Sequence, residues 1–255
     1  MTTAWRKRAA ILAALVAFLP TGAFSQVKVV TSGGFASPLK AAIPDFEKAT
    51  GISVTVTLGK SQGGGPDTIR AQLDRGVAAD IVIMSREGLN DLVSDNKIIA
   101  KSDVDLAKTP IGMAVKAGAP KPDISTVAAF KDTLLRAKSI TYPSSTTGIY
   151  MVTKLFPQLG IAKDMAGKST NAGIAAVARG EAEIAIQPVS ELLHVPGTDF
   201  VGTLPQQIQY ISVFSAALVK GANNEDQARR LLVFLASANA KDAIRDSGME
   251  PLKAQ

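Results

Sequence analysis

Three segments of the chain place glycines and hydroxyl side chains between an apolar run and a predicted helix start. They are residues 31–34 (TSGG), 59–65 (GKSQGGG) and 144–148 (SSTTG). The first backbone N–H groups of a helix have no partner within the helix, and the helix dipole makes that end positive. Small side chains let a ligand approach these groups. The pattern therefore predicts a site where several such ends bind one small anion.

The second segment also resembles two catalytic motifs. A phosphate-binding loop needs a glycine five residues before Gly59, where the chain has Val54, so this motif is incomplete. A G-x-S-x-G nucleophile elbow fits residues 59–63 and would make Ser61 the nucleophile. Its base would have to be His194, the single histidine of the chain. A secreted serine hydrolase that uses Ser61 and His194 therefore stays open as an alternative function.

Two further polar residues follow predicted strands. Arg86 comes just after a strand and could pair with a ligand carboxylate, although an arginine at such a place is more often solvated. Gln187 ends a buried strand, where it would either donate to the ligand or satisfy loop backbone groups. With one histidine, no cysteine and no D-x-D-x-D run, neither a metal ion nor another cofactor is expected.

The first 25 residues have the pattern of an export signal. A basic stretch at residues 6–8 precedes an uncharged apolar run at 9–19, and residues 23–25 (AFS) form a cleavage site. The mature, exported chain would begin at Gln26, and its formal charge would fall from +6 to +3. Such a small excess does not support nucleic-acid binding. Without cysteine, neither a disulfide nor a lipid anchor is possible.

From residue 26, short β-type runs alternate with helical segments. The first helix is predicted to begin at Ser37–Pro38 and to end at Gly51, with a kink or a later start at Pro44. Other helices are predicted at 66–76, 87–95, 127–137, 148–159, 172–179, 225–237 and 240–247, and strands at 27–31, 52–58, 80–84, 111–116, 139–142, 184–186 and 209–219. The alternation predicts an α/β fold whose ligands bind beyond the carboxyl ends of parallel strands.

Five segments carry a resemblance to a known family. They are 45–51 (DFEKATG), 72–83 (QLDRGVAADIVI), 147–150 (TGIY), 179–186 (RGEAEIAI) and 247–249 (SGM). In this order they resemble periplasmic molybdate-type solute-binding proteins of ABC transporters, along almost the whole mature chain. The resemblance implies a type II periplasmic binding protein fold of two α/β lobes, with a mixed, largely parallel sheet in each. Lobe I would comprise 26–108 plus 211–255, lobe II 109–210, and two hinge crossovers would lie near 109–110 and 209–210.

The resemblance also implies a function without catalysis. A small anion would be captured between the lobes and delivered to the permease of an ABC importer; a binding protein that serves a sensory receptor is a further alternative. The protein would be a monomer. The implied ligand-binding residues are Ser32, Gly34, Phe35, Ser61, Gln62, Arg86, Thr146, Thr147 and Gln187.

The chain departs from the family pattern at several of these positions. Gly34 stands where the family has a binding serine, so Ser32 or the backbone of Gly34 and Phe35 must substitute for it. Thr147 replaces an alanine, and Gln187 replaces a tyrosine. These departures suit an enlarged, polar cleft for an organic carboxylate, with Arg86 or Lys60 as its charge partner. A molybdate-like oxyanion, the ligand that the family resemblance implies, is the other ligand class that stays open.

Overall fold

A computed structural model describes residues 26–253; the predicted export signal lies outside the described residues. This part of the chain forms an α/β fold. Its strands are β1 (Gln26–Ser32), β2 (Ser53–Gly59), β3 (Ile81–Ser85), β4 (Val104–Lys116), β5 (Ile140–Thr141), β6 (Ser169–Thr170), β7 (Ile184–Pro188), β8 (Thr198–Thr203), β9 (Ile211–Leu218) and β10 (Glu250–Pro251). Its α-helices are α1 (Gly33–Thr50), α2 (Ile69–Asp74), α3 (Arg86–Ser94), α4 (Val127–Arg136), α5 (Thr146–Tyr150), α6 (Phe156–Leu159), α7 (Ala162–Ala166), α8 (Ile174–Arg179), α9 (Val189–Leu192), α10 (Glu225–Ala236) and α11 (Lys241–Asp246). No helix within residues 26–253 has the length and apolarity needed to cross a membrane.

The strands form a mixed sheet in the order β2-β1-β3-β9-β4-β7-β5-β6. Parallel pairs join β1 to β2 and β3, and join β5 to β6 and β7. Antiparallel pairs surround β4 and β9, and β8 and β10 also pair with β4. The parallel strands therefore lie in two groups, and their carboxyl ends can face each other across one cleft.

Strand β4 connects these two groups. Its first part, up to Pro110, pairs with β9, whereas its second part, from Ile111, pairs with β7 and β8. The chain returns at Gln209, whose side chain accepts from the Ile111 N–H at 2.8 Å and donates to its carbonyl at 3.0 Å. We call the half with β1, β2, β3, β9 and β10 lobe I, and the half with β5 to β8 lobe II. The partner change lies beside the predicted hinge, although the domain limits themselves stay a prediction.

Each lobe has its own apolar core. In lobe I, the residues Phe35, Leu39 and Phe46 follow a helical spacing along one face of α1, and they pack against the strands as a wholly buried row. In lobe II, Phe130 of α4 and Met113 of β4 belong to a second cluster. Because each buried apolar cluster belongs to one lobe or the other, the interface between the lobes is free to be polar.

Several predicted boundaries are wrong, and the local residues explain why. Helix α1 begins at Gly33, directly after β1, so that Ser32 rather than Ser37 holds the N-cap position. Both Pro38 and Pro44 lie inside α1, because the packing of its apolar face outweighs the hydrogen bond that Pro44 cannot donate. Helix α1 ends as predicted at Gly51, which has a left-handed backbone.

Other differences concern the second and third segments. Helix α2 begins at Ile69 instead of Pro66, because the Thr68 hydroxyl accepts a hydrogen bond from the Ala71 N–H and caps it. The helix predicted over 148–159 begins at Thr146 and contains a π-helical turn at Met151–Leu155. Strands β6, β8 and β10 and helices α7 and α9 were not predicted.

Candidate functional site

The three predicted segments meet at one cleft between the lobes, with a volume of about 420 Å³. They meet there because β1, β2 and β3 in lobe I, and β5 and β7 in lobe II, all end at this edge. The cleft is lined by Ser32, Gly33, Leu58, Gly59, Lys60, Ser61, Asp67, Ser85, Pro143, Ser145, Thr146, Thr147, Pro188, Glu191, Ser212 and Phe214. Of the residues predicted for the site, Ser32, Ser61, Thr146 and Thr147 line it.

Ser32 presents an unused hydroxyl at the cleft. It is 5% exposed, occupies the N-cap position of α1, and its side chain does not cap the helix. Its Oγ is buried and has no hydrogen-bond partner within residues 26–253. A buried polar group without a partner costs free energy, and a ligand with an acceptor oxygen would remove that cost. This hydroxyl and the first N–H groups of α1 are therefore available to an anion.

Gly34 and Phe35 lie behind this surface. A Cβ atom on Gly34 would lie 2.1 Å from Cζ of Phe214, so only glycine leaves room for that ring, which lines the cleft. The Phe35 side chain is wholly buried, with its ring centroid 6.3 Å from that of Phe214. This packing gives a physical reason for the absence of a serine at residue 34. Ligand contact through the backbone of Gly34 or Phe35 stays a prediction.

The second segment supplies a hydroxyl and an ion pair. Ser61 Oγ accepts from the Ser85 N–H at 2.9 Å, which leaves the Ser61 proton available for a ligand. Lys60 lines the cleft, but its ammonium is 2.8 Å from the Asp67 carboxylate. The local charge at this side of the cleft is therefore already balanced.

The third segment joins the lobes by a chain of hydrogen bonds. Thr146 Oγ1 lies 2.8 Å from Ser85 Oγ and donates to Gln62 Oε1 at 3.2 Å. The Gln62 N–H also donates to Ser145 Oγ at 3.2 Å. Gln62 and Thr146 thus hold the two lobes together. Thr147, 3% exposed, lines the cleft without taking part in this chain.

A carboxyl that was not predicted, Glu191, also lines the cleft. It lies on α9, one helical turn after Gln187, whose Nε2 donates to Glu191 Oε2 at 2.8 Å. On the opposite side, all three carboxyl atoms lie 3.7 Å from the position a Cβ on Gly33 would take. Burial raises the pKa of Glu191 to about 7, and the hydrogen bond from Gln187 acts in the opposite sense.

Glu191 is free of countercharge. Within the described residues it forms no ion pair, and buried Gln187 Oε1 has no hydrogen-bond partner. Glu191 therefore offers the cleft a group that titrates near neutrality, while Gln187, which is absent from the cleft lining, holds it from behind. The signal that could have revealed it was an acidic residue four positions after Gln187 at a strand–helix junction.

Arg86 and His194 contact residues outside the cleft lining. The Arg86 guanidinium donates to Asp103 and Asp105 in lobe I, and the residue is absent from the cleft lining. His194 lies in an exposed turn with its Nε2 3.3 Å from the carbonyl of Asp246, while Ser61 has Ser85 as its partner. These separate partners disfavour the serine hydrolase alternative. Between residues 26 and 253, no cluster of three His, Asp or Glu residues could hold a metal ion.

The geometry agrees with a comparison against protein families. Residues 27–250 match the family described as bacterial extracellular solute-binding protein. The chain belongs to this family. Membership supports binding of a solute and implies an extracytoplasmic location for this protein.

The solute-binding protein is similar to relatives with different names. It is 39% identical to an aconitate isomerase from a Pseudomonas species, over 96% of this chain and 95% of that one. It shares its fold with the periplasmic molybdate-binding protein of Azotobacter vinelandii, at 17% identity and a TM-score of 0.67, with 88% and 98% of the chains covered. A sulfate-binding protein from Mycobacterium tuberculosis has 19% identity and a TM-score of 0.69, with 89% and 87% covered.

Proposed function

We propose that this solute-binding protein takes a small organic polycarboxylic acid into the cleft, with aconitate as the first candidate. The observation that carries the proposal is Glu191, a carboxyl without countercharge in a cleft whose other charged lining residues, Lys60 and Asp67, pair with each other. A fully ionised tetrahedral oxyanion would be repelled by an ionised Glu191. A protonated Glu191 can donate a hydrogen bond to a ligand carboxylate, and an ionised one can accept from a protonated ligand carboxyl.

The size of the cleft supports an organic ligand. Pockets for small organic molecules have volumes of about 300–1,000 Å³, and this cleft, at about 420 Å³, lies in that range. A tetrahedral oxyanion has five heavy atoms and would leave much of this space to water. A tricarboxylic acid with about twelve heavy atoms would fill more of this space.

Neutral donors would hold the carboxylates. In this proposal one carboxylate lies at Ser32 and the first N–H groups of α1, where the helix dipole favours a negative charge. Ser61 and Thr147 donate to other carboxylate oxygens, and the Phe214 ring packs against the carbon skeleton. Lys60 contributes only as far as its ion pair with Asp67 is loosened.

Two roles are consistent with such a ligand. The family supports capture, in which the lobes close on the ligand and the closed form docks on an ABC permease; the ligand must then bind the closed form better than the open one. A second role, isomerisation of the bound acid, is favoured by Glu191 and by the name of the 39% identical relative.

A thermal-shift screen of the purified protein tests the ligand class. Ligand at 100 times its Kd stabilises the folded state by about 2.7 kcal/mol. We expect trans-aconitate, cis-aconitate or the saturated analogue tricarballylate to raise Tm at millimolar concentration, and molybdate and sulfate to leave it unchanged. A shift with the oxyanions and none with the polycarboxylates would refute the proposal.

A further inference from the structure

We propose that Glu191 is a catalytic residue that moves a proton between two carbon atoms of a bound unsaturated polycarboxylate, and that Gln187 positions it. This inference rests on the proposed function, because it requires such an acid in the cleft. It also assigns the chemistry to one side chain, which neither the family nor the relative's name does.

The first support is the contrast between the two carboxyls of the cleft. The Asp67 carboxylate forms an ion pair with the Lys60 ammonium, so its negative charge is already compensated. Within residues 26–253, Glu191 accepts one hydrogen bond, from Gln187 to Oε2, which leaves its other oxygen for a substrate. Among the cleft-lining side chains, Glu191 alone combines access to the ligand with the freedom to gain and lose a proton.

The second support is the way in which Glu191 is held. Gln187 lies on β7, where its backbone pairs with Gly112 of β4, and its side chain is buried with the residue 4% exposed. A general base must be held within hydrogen-bond reach of the proton that it removes, which this amide achieves for one carboxyl oxygen. Gly33 on the other side carries no side chain that would block the second oxygen.

The third support is the local charge. Helix α1 presents Gly33 to this carboxyl and β7 presents Gln187, and both are uncharged. The other charged residues that line the cleft are Lys60 and Asp67, which pair with each other. Burial raises the pKa of Glu191 to about 7, so that both protonation states are populated near neutral pH, as general acid–base catalysis requires.

The proposed step is balanced without a co-reactant. Ionised Glu191 removes a proton from a CH₂ carbon that lies next to one carboxylate and next to the C=C bond. The electron pair of that C–H bond forms a new C=C bond, and the electrons of the old double bond move towards its far carbon. Protonated Glu191 returns the proton to that far carbon. The double bond has then moved by one position, and Glu191 is again ionised.

The surrounding donors suit the charge that develops. During the step, negative charge spreads onto the carboxylate oxygens conjugated with the three carbons. Ser32 Oγ, which has no partner among the described residues, and the first N–H groups of α1 are placed to stabilise that charge. Water that remains in the cleft is not consumed.

The test uses the full protein with trans-aconitate in D₂O, followed by proton NMR. We expect interconversion with cis-aconitate and deuterium at the exchanging carbons. Glu191→Gln keeps the shape and the hydrogen bond from Gln187, so it should bind trans-aconitate with a Kd within several-fold of the wild-type value. Its turnover should fall by about 10²–10⁴-fold, the usual contribution of a general base. Glu181→Gln, the same change at an exposed ion pair with Arg179, is the matched control.

The outcomes separate this inference from the proposed function. If the wild type turns over and Glu191→Gln retains its rate within threefold, Glu191 is not the proton carrier. If the wild type binds trans-aconitate but neither isomerises it nor exchanges deuterium, the inference fails and the proposed ligand class stands. Absence of binding by the wild type refutes both. Should Glu191→Gln not fold, Glu191→Asp, with its carboxyl withdrawn by one methylene, should still lose turnover while it binds.

Gln187→Leu tests the positioning role. The Gln187 hydrogen bond lowers the pKa of Glu191, so its removal should move the ionisation that controls kcat to higher pH. A side chain with only a structural role would change Tm and leave that pH profile in place. An unmoved profile in a folded Gln187→Leu variant would therefore refute the positioning role.

Discussion

The pKa of Glu191 has a consequence for folding that needs no ligand. This carboxyl titrates at about 7 in the folded protein against an ordinary value of 4.5, because burial disfavours its charged form. Between these two values the folded state binds more protons than the unfolded state. The free energy of unfolding therefore falls as pH rises through this window, and the loss is complete above about pH 7. Glu191→Gln abolishes the titration and should remove this loss.

The magnitude follows from the shift. One pKa unit corresponds to about 1.36 kcal/mol, so the full effect is about 3 kcal/mol. Relative to the wild type, Glu191→Gln should be unchanged at pH 4.5, more stable by about 2 kcal/mol at pH 6, and more stable by about 3 kcal/mol at pH 8. For a chain of this size the last value corresponds to about 6–12 °C in Tm.

Urea denaturation and thermal unfolding at several pH values, without ligand, measure the difference between the two proteins. Other titrating groups contribute equally to both and cancel in that difference. The control Glu181→Gln concerns an exposed carboxyl whose pKa is lowered by Arg179, so it should show no gain at high pH. Parallel stability curves for the wild type and Glu191→Gln between pH 4.5 and 8 would refute the assignment of a half-buried carboxyl that is neutral below about pH 7.

Three further substitutions test individual contacts, two at the cleft and one at the opposite end of β3. Ser32→Ala removes a buried hydroxyl that has no partner among the described residues, so Tm should stay unchanged or rise. Aconitate binding, measured by calorimetry, should weaken by about tenfold or more. Unchanged affinity would show that Ser32 does not contact the ligand. Gly34→Ala places a methyl group 2.1 Å from the Phe214 ring, so the free energy of unfolding, measured by urea denaturation, should fall by about 1–3 kcal/mol. The control Gly167→Ala, which has open space around it, should lower it only slightly. Equal effects of the two substitutions would contradict the packing argument. Asp80 is 2% exposed, and Asp80→Ala leaves the partly buried N–H groups of Lys28 and Asn224 without their acceptor. The urea denaturation midpoint should fall by an amount equivalent to about 1–3 kcal/mol, and an unchanged midpoint would contradict this reasoning.

Much of the fold could be predicted because each lobe has strong local signals. The buried strand β3 is a continuous apolar run, and Gly51 ends α1 in the left-handed conformation that glycine adopts at low cost. The segment rich in hydroxyls at 144–148 leads into a helix whose first residues line the cleft. These features depend on neighbours in the sequence, and they are visible without the tertiary structure.

Other features depend on distant residues. Helix α1 starts four residues before Ser37 because its row of apolar residues begins at Phe35 and packs onto the sheet of lobe I. The sequence predicts no strand for the residues of β8, which are only partly buried. They form a strand because they pair with β4. No local sequence pattern indicates that β4 is the partner.

The site shows the same division. Ser32, Ser61 and Thr147 could be found because a strand end brings them to the cleft. The partners of Arg86, by contrast, are Asp103 and Asp105, which lie almost twenty residues further along the chain. Glu191 was missed because its significance arises from burial beside Gly33 of the other lobe, a contact between residues far apart in sequence.

Calorimetric titration of the purified protein with trans-aconitate, and in parallel with molybdate and sulfate, tests the central claim most directly. The claim is that the cleft between the lobes binds an organic polycarboxylate. We predict saturable, one-to-one binding of trans-aconitate that weakens in Ser32→Ala, and no measurable heat of binding with either oxyanion. One-to-one binding of molybdate or sulfate, with no response to trans-aconitate or tricarballylate, would contradict the account.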